Sequence, residues 1–497
     1  MFTIISVSRY ITEKHFWIKN PWHTAFIISA IFFLLRLLFI AFGPLDLAPD
    51  EAQYWDWSRN LDWSYTTKPP LTTWLLALST AIFGNTFIGV RFFALLGQIA
   101  VPLLAMGIAR QVSPFHLKTE TGWWAFWLTS AAPIITAGGL IMSPDVPSLT
   151  LWLATIWMLT KIDFAASPRW QPWCLIGLFI GLAGLAKPTA ALFFPLLGLF
   201  LLWQAPRWLL KPQIYVSGLI ALACQAPVFY WNATHHWAMF RHVLDQTDSD
   251  TRWGGWQSLL DFLAGQAGAI GPITLLTLLP VLFWLPKQQH KRLLWVFSAV
   301  PLAFFTITSL NGKIQPNWPI LGSAVALILL AISIPKLPRW SHLLLIAGLI
   351  FNITIIGLLH DTFILRNAGI SLKIKTDPTK PMLGWRGLGE QLGNILEKYP
   401  NAHIVTTRYQ TTAGLAFHTP QQPHVLYTNP GWRRENHYDF QQWPNLTGQK
   451  ILYVNEGGTL LPHIAEKFNN CQHLQDLKAT RNGLTLRTAT VYLCEGK

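Results

Sequence analysis

The sequence predicts a mainly α, polytopic membrane protein of about 11–13 transmembrane helices, followed by a small α/β domain outside the membrane. Three observations predict it. Of the 497 residues, 52% are hydrophobic and only 12% are charged, the balance of a membrane protein rather than a soluble one. About eleven apolar runs of spanning or near-spanning length follow one another up to residue 360. From Asp361 onward the composition changes to that of an ordinary soluble domain. The 26 Trp fit repeated membrane–water boundaries, where indoles favour headgroup depth.

The formal net charge of +14 does not indicate a nucleic-acid partner. The basic residues stand singly or in small groups between apolar runs, so they report topology. At the start of the chain Arg9, Lys14 and Lys19 precede the run from Trp22 to Phe42, which has no small-residue cleavage site behind it. It reads as a retained first helix rather than a signal peptide.

The remaining runs fall at 88–110, 121–140, 147–163, 172–186, 188–204, 213–232, 268–285, 291–310, 317–335 and 340–359. One more apolar stretch, Pro69 to Gly84, is short and opens with Pro-Pro, which favours an interfacial or re-entrant helix. Leaving it uncrossed puts Arg110/Lys118, Lys161/Arg169, Arg207/Lys211, Lys287/Lys291/Arg292 and Lys336/Arg339 with the N-terminal cations on the cytoplasmic side, as the positive-inside rule expects. The outer side then receives a first loop over 43–87, the turn at Asp145, Lys187, an acidic and aromatic loop near 233–267, Lys313 and the whole of 361–497.

Within 361–497, Ala402–Thr407, His424–Thr428, Lys450–Asn455 and Thr488–Cys494 read as strands, and Gly387–Lys398 and Leu460–Phe468 as helices. Domain boundaries are therefore expected at 1–360 and 361–497. Cys174 and Cys224 lie in apolar runs, whereas Cys471 and Cys494 would share an oxidising compartment and are expected to pair. No cysteine or histidine spacing indicates zinc, and His235-His236 has no matching carboxylate motif.

Chemistry gathers in the outer segments. Pro49-Asp50-Glu51 places two carboxylates where the chain leaves the membrane, and ionisable groups there are functional candidates. Being adjacent they point apart, so one serves as general base and the other as a positioning group. The same residues also suit the first turn of a helix, and that alternative stays open. Lys68, before Pro69-Pro70, suits a phosphate oxygen as a point charge or a lipid headgroup by snorkelling. Asp145 sits in a tight turn that a helix cap would also explain, Lys187 in a second turn, and Lys313 with Asn317 in a third, where amides suit sugar hydroxyls. Arg36 and Arg91 read as structural pairs or snorkelling cations.

These residues resemble the polytopic GT-C type glycosyltransferases that use lipid-phosphate-linked sugars, the group of protein O-mannosyltransferases and bacterial aminoarabinose transferases. The likeness is carried by Pro49-Asp50-Glu51 with Tyr54-Trp55, Lys68-Pro69-Pro70-Leu71, Phe83-Gly84 before Val90-Arg91, Asp145, Gly184 to Lys187, and Lys313 with Asn317-Trp318. It implies that Asp50 is the catalytic aspartate that activates the acceptor, with Glu51 beside it, that Lys68 contacts the lipid phosphate and that Asp145 is the second outer-loop aspartate; Glu51, Tyr54, Lys68, Asp145, Lys187, Lys313 and Asn317 are the expected substrate-binding residues. It further implies a polyprenyl-phosphate-linked sugar donor, an acceptor that is an envelope glycan, lipid A or protein, and a bacterial inner membrane with 361–497 in the periplasm. Gly384-Trp385 and Trp432-Arg433-Arg434 leading to Tyr438-Asp439 look like the tail domain of bacterial members.

The leaving-group chemistry agrees on its own terms. A sugar departing from a polyprenyl phosphate leaves behind a phosphate monoester with a second pKa of about 6, which needs no protonation, so one base suffices. Direct displacement then inverts the anomeric carbon. No cofactor is required, although the outer acids leave room for a divalent cation. The rival reading is a transporter or flippase of lipid-linked sugars, which would show paired repeats and polar groups near the bilayer midplane.

Overall fold

The computed structural model describes residues 20–247, 254–370, 373–431 and 435–497. The basic Arg9, Lys14 and Lys19 and the stretch Trp432-Arg433-Arg434 lie outside the described residues. All eleven apolar runs become helical, but prolines and glycines divide them unevenly. Among the described residues, four helices are long and apolar enough to cross a membrane: Pro21–Phe42, Phe87–Val112, Gln289–Thr308 and Arg339–His360. Two broken pairs add to these, Pro212–Cys224 with Ala226–Thr234 (43°) and Trp256–Ile270 with Pro272–Phe283 (107°). The run 121–140 splits into Lys118–Ser130 and Pro133–Gly138, because Pro133 has no amide hydrogen to continue the first helix. Near 233–267, where the sequence suggested a loop, the chain instead forms the helix Ala238–Thr247 and most of Trp256–Ile270.

At the 107° bend the backbone polar groups need partners, since lipid offers none. Asn352 donates from Nδ2 to the Ile270 carbonyl at 3.1 Å, and Gly271 has φ +91° with no room for a Cβ, which would meet Asn352 Oδ1 at 2.1 Å. Ile320–Ser333 is apolar all round because it runs through the bundle interior. Nearby, Trp152, Phe193 and Phe297 pack ring to ring at 5.4–5.8 Å. Leu71–Phe83 has 13 residues, and at 1.5 Å each its ~20 Å falls well short of ~30 Å of hydrocarbon.

Beyond residue 400 the chain builds a five-stranded sheet from β1 (His403–Thr406), β2 (Val425–Tyr427), β3 (Lys450–Asn455), β4 (Phe468–Arg481) and β5 (Leu484–Gly496). The order is β2-β1-β3-β5-β4, with β1 parallel to β2 and β3, and β5 antiparallel to β3 and β4. Four of these strands were legible. β4 was not: it is a largely exposed edge strand, FNNCQHLQDLKATR, without the alternation that a buried face imposes. The helix Tyr409–His418 also escaped the sequence reading, and it packs directly on the first outer helix, Pro49–Ser58.

This contact joins the two halves of the chain. Trp55 meets Phe417 edge-on at 4.9 Å, Tyr438 donates from its hydroxyl to Asp56 Oδ2 at 2.8 Å, and Asp46 pairs with Arg386 at 3.0 Å. Cys471 and Cys494 are joined as a disulfide between β4 and β5, closing a separation of 23 residues. On loop-closure entropy Cys494→Ser is expected to cost about 3 kcal/mol, read from the thermal midpoint of the C-terminal half. Two freely alkylated thiols in unreduced protein, by intact mass, would refute the pairing.

Candidate active site

Between the helical bundle and the sheet lies a cavity of about 1220 Å³, and all eight residues singled out from the sequence line it. They arrive from four separate outer segments. Pro49 at the first position starts the helix Pro49–Ser58, which puts Asp50 and Glu51 in its first turn and Tyr54 one turn further along. Lys68 ends a turn in which the Tyr65 N–H donates to its carbonyl at 3.1 Å, and Pro70 caps the following helix Leu71–Phe83 in helical geometry rather than the extended one expected from Pro-Pro. Asp145 opens the helix Asp145–Thr160, Lys187 follows Trp170–Ala186, and Lys313 and Asn317 sit in the loop before Ile320–Ser333.

The adjacent carboxylates do point apart. Asp50 is exposed to the cavity and accepts a hydrogen bond from the Tyr409 hydroxyl at 3.0 Å. Glu51 is fully buried and faces Arg91, whose Nε lies 3.0 Å from Oε1 and whose Nη2 lies 2.9 Å from Oε2. Its oxygens also accept the backbone N–H of Met142 (2.9 Å) and of Ala48 (3.2 Å). With four donors on one carboxylate, Glu51 is tied into the frame while still lining the cavity. Arg91 is a structural pair, as expected.

Asp145, Lys187 and Asn317 hold one another. Lys187 Nζ stands 2.5 Å from Asp145 Oδ1, Asn317 Nδ2 donates to Oδ2 at 2.7 Å, and Lys187 also donates to the Asn317 carbonyl at 3.1 Å. Lys68 has no carboxylate within ion-pair distance among the described residues. Burial pulls its ammonium below the ordinary lysine range; Asp50 opposes that, Lys187 adds to it and Asp145 opposes it. Such a cation gains from an arriving anion. Burial, with the charges of Asp50, Tyr409 and Asp145, pushes the Tyr54 phenol well above its usual range, so it remains a hydrogen-bond donor.

The sequence reading missed the wall supplied by the C-terminal half: Lys380, Arg408, Tyr409, Gln410, Glu456 and Arg487. A signal existed. Arg408 to Gln410 follow β1 and Glu456 follows β3, at the carboxyl ends of neighbouring parallel strands where an α/β sheet places its ligands. Arg487 Nη1 pairs with Glu456 Oε2 at 2.6 Å. His235 stacks on Trp231 with ring centroids 4.2 Å apart.

In comparisons with solved structures, the chain aligns with apo ArnT from Cupriavidus metallidurans at a TM-score of 0.65, covering 95% of this chain and 98% of that one at 14% identity. The fold is that of a GT-C type glycosyltransferase. The same enzyme bound to undecaprenyl phosphate aligns at 0.63 with equal coverage and 13% identity. Residues 67–231 match the family described as dolichyl-phosphate-mannose-protein mannosyltransferase. The lipid A galacturonosyltransferase RgtD of Rhizobium johnstonii is 25% identical over 86% of this chain and 89% of its own length. An undecaprenyl phosphate-α-4-amino-4-deoxy-L-arabinose arabinosyl transferase of Pseudomonas fluorescens is 26% identical over 58% of this chain and 55% of its own. The chain thus spans about half the length of that relative. With its apolar helices and GT-C fold, it is a polytopic membrane protein.

Proposed function

We propose that this protein is an inverting glycosyltransferase that moves a sugar from a polyprenyl phosphate to an envelope glycan, lipid A or protein acceptor. It works at the outer face of the bacterial inner membrane, with its sheet in the periplasm. One observation carries this reading. Four carboxylates line the cavity, and three are ion-paired: Glu51 with Arg91, Asp145 with Lys187 and Glu456 with Arg487. Among the described residues Asp50 is the one of the four without an ion pair, and it faces the open space, as a general base must.

In this mechanism Asp50 takes the proton of an acceptor hydroxyl as its oxygen attacks the anomeric carbon. The bond from that carbon to the phosphate oxygen breaks on the opposite side, which inverts the centre. The phosphate leaves as a monoester with a charge of about −1.5 to −2, and Lys68, with Lys313 lining the same cavity, stabilises the charge that develops. Lysines supply the positive charge, so the reaction requires no cofactor, and the outer acids leave room for a divalent cation. Asp145, Lys187 and Asn317 fix the wall between donor and acceptor.

The first test is a comparison of envelope lipid and glycan masses in cells with and without the gene. Undecaprenyl phosphate carrying 4-amino-4-deoxy-L-arabinose or galacturonate, with lipid A, serves as the defined in vitro pair. Identical envelope profiles and no transfer would refute the proposal. Lys68→Met is expected to weaken undecaprenyl phosphate binding about 10- to 100-fold, the loss of a charge-assisted hydrogen bond. Unchanged affinity by native mass spectrometry would remove Lys68 from the phosphate.

A further inference from the structure

The strand order β2-β1-β3 reverses direction beside β1, and in doubly wound sheets the crevice at such a reversal, outside the carboxyl ends, is where ligands sit. Here that crevice is turned toward the membrane cavity. Tyr409 and Gln410 begin the helix that follows β1, and Glu456 leaves β3 beside them. Glu456 is engaged by Arg487 and by the Thr411 hydroxyl at 2.7 Å. Tyr409 reaches across 359 positions of sequence to donate to Asp50 Oδ1 at 3.0 Å, and Gln410 stands next to it in the first turn of the same helix. Gln410 Oε1 is buried and has no hydrogen-bond partner among the described residues. A buried acceptor without a donor is destabilising until one arrives.

We infer that this crevice is a hydroxyl-recognition subsite for the acceptor: Gln410 Oε1 accepts from a hydroxyl neighbouring the one that reacts, while Tyr409 holds Asp50 in position. The inference rests on the assignment of Asp50 as base. Gln410 is then a binding residue and Tyr409 a positioning residue. The C-terminal half completes the catalytic site rather than only covering it. Burial and the charge of Asp50 push the Tyr409 phenol above its ordinary range, so it stays a donor throughout the working pH range.

The experiment uses full-length protein in membranes of cells lacking their own copy. The product is the envelope mass increment that the wild-type gene restores, and the acceptor is titrated as an envelope extract of the deletion strain. Tyr409→Phe is expected to lower the rate about 10- to 100-fold. It removes a donor that favours the ionised carboxylate, so the acidic limb of the pH–rate profile moves to higher pH. Gln410→Leu is expected to raise the acceptor concentration for half-maximal rate about 10-fold, with the acidic limb in place. Both variants should bind undecaprenyl phosphate within about twofold of wild type, because a single lost hydrogen bond on the acceptor side leaves the donor's phosphate contacts intact. A wild-type rate and pH profile in Tyr409→Phe, or an unchanged acceptor requirement in Gln410→Leu, overturns the subsite. A fall in thermal midpoint and lipid affinity with no movement of the limb assigns Tyr409 to the frame and also overturns it. Asp50→Asn separates the two levels: if it keeps its turnover, the proposed function fails, whereas if it is inactive while both crevice variants match wild type, only this inference does.

Discussion

Asp50→Asn is expected to abolish transfer, a loss of about 10²- to 10⁴-fold for removal of a general base, in a protein that still inserts and folds. The two halves of that expectation have separate causes. Asparagine keeps an oxygen for the Tyr409 hydroxyl but cannot take a proton from the acceptor. Asp50 is exposed and makes no ion pair among the described residues, so its neutralisation costs the fold little beyond the charge it presents to the buried Lys68, and stability should change by no more than about 1 kcal/mol. Asp145→Asn provides the contrast, because it leaves the part-buried Lys187 ammonium without its counter-ion. The check is the envelope mass increment together with the thermal midpoint of the purified protein. Substantial turnover in Asp50→Asn would remove Asp50 from the role.

The asymmetry between Asp50 and Glu51 shows how far the sequence could be read. Adjacency predicted that the two side chains diverge, and they do. Which one faces the open site depends on where Arg91 arrives, 40 positions later and on another helix, and periodicity carries no such information. The outer lysines and Asp145 were legible because a charge beside an apolar run is conspicuous. Their mutual pairing was not, since it joins turns that are 42 and 172 positions apart. The parallel strands of the C-terminal half were legible from apolar alternation, yet nothing in them says which edge of the sheet faces the bundle. Tyr409 and Gln410 therefore stayed hidden although they directly follow a strand that was found. The division of the apolar runs was hidden for a simpler reason: composition counts Pro133 and Gly271 within apolar stretches, while the backbone breaks at both.

Arg91→Met is expected to destabilise the fold by about 3–5 kcal/mol, the cost of breaking a buried pair from one side. Arg91 is 2% exposed and Glu51 fully buried, so the carboxylate left behind has neither cation nor water. The double variant Arg91→Met/Glu51→Met should recover most of that loss, because two charges removed together leave no uncompensated ion. It should not recover all of it. The Met142 N–H would still lack its acceptor, and an unsatisfied buried donor costs about 1–3 kcal/mol. That remainder matters for activity, since Met142 belongs to the short turn that delivers Asp145 to the cavity wall. Full stability without full activity in the double variant would mean that Glu51 also touches substrate. Chemical denaturation in detergent gives the three stabilities; an Arg91→Met protein within about 0.5 kcal/mol of wild type would show that the pair does not anchor the first outer helix.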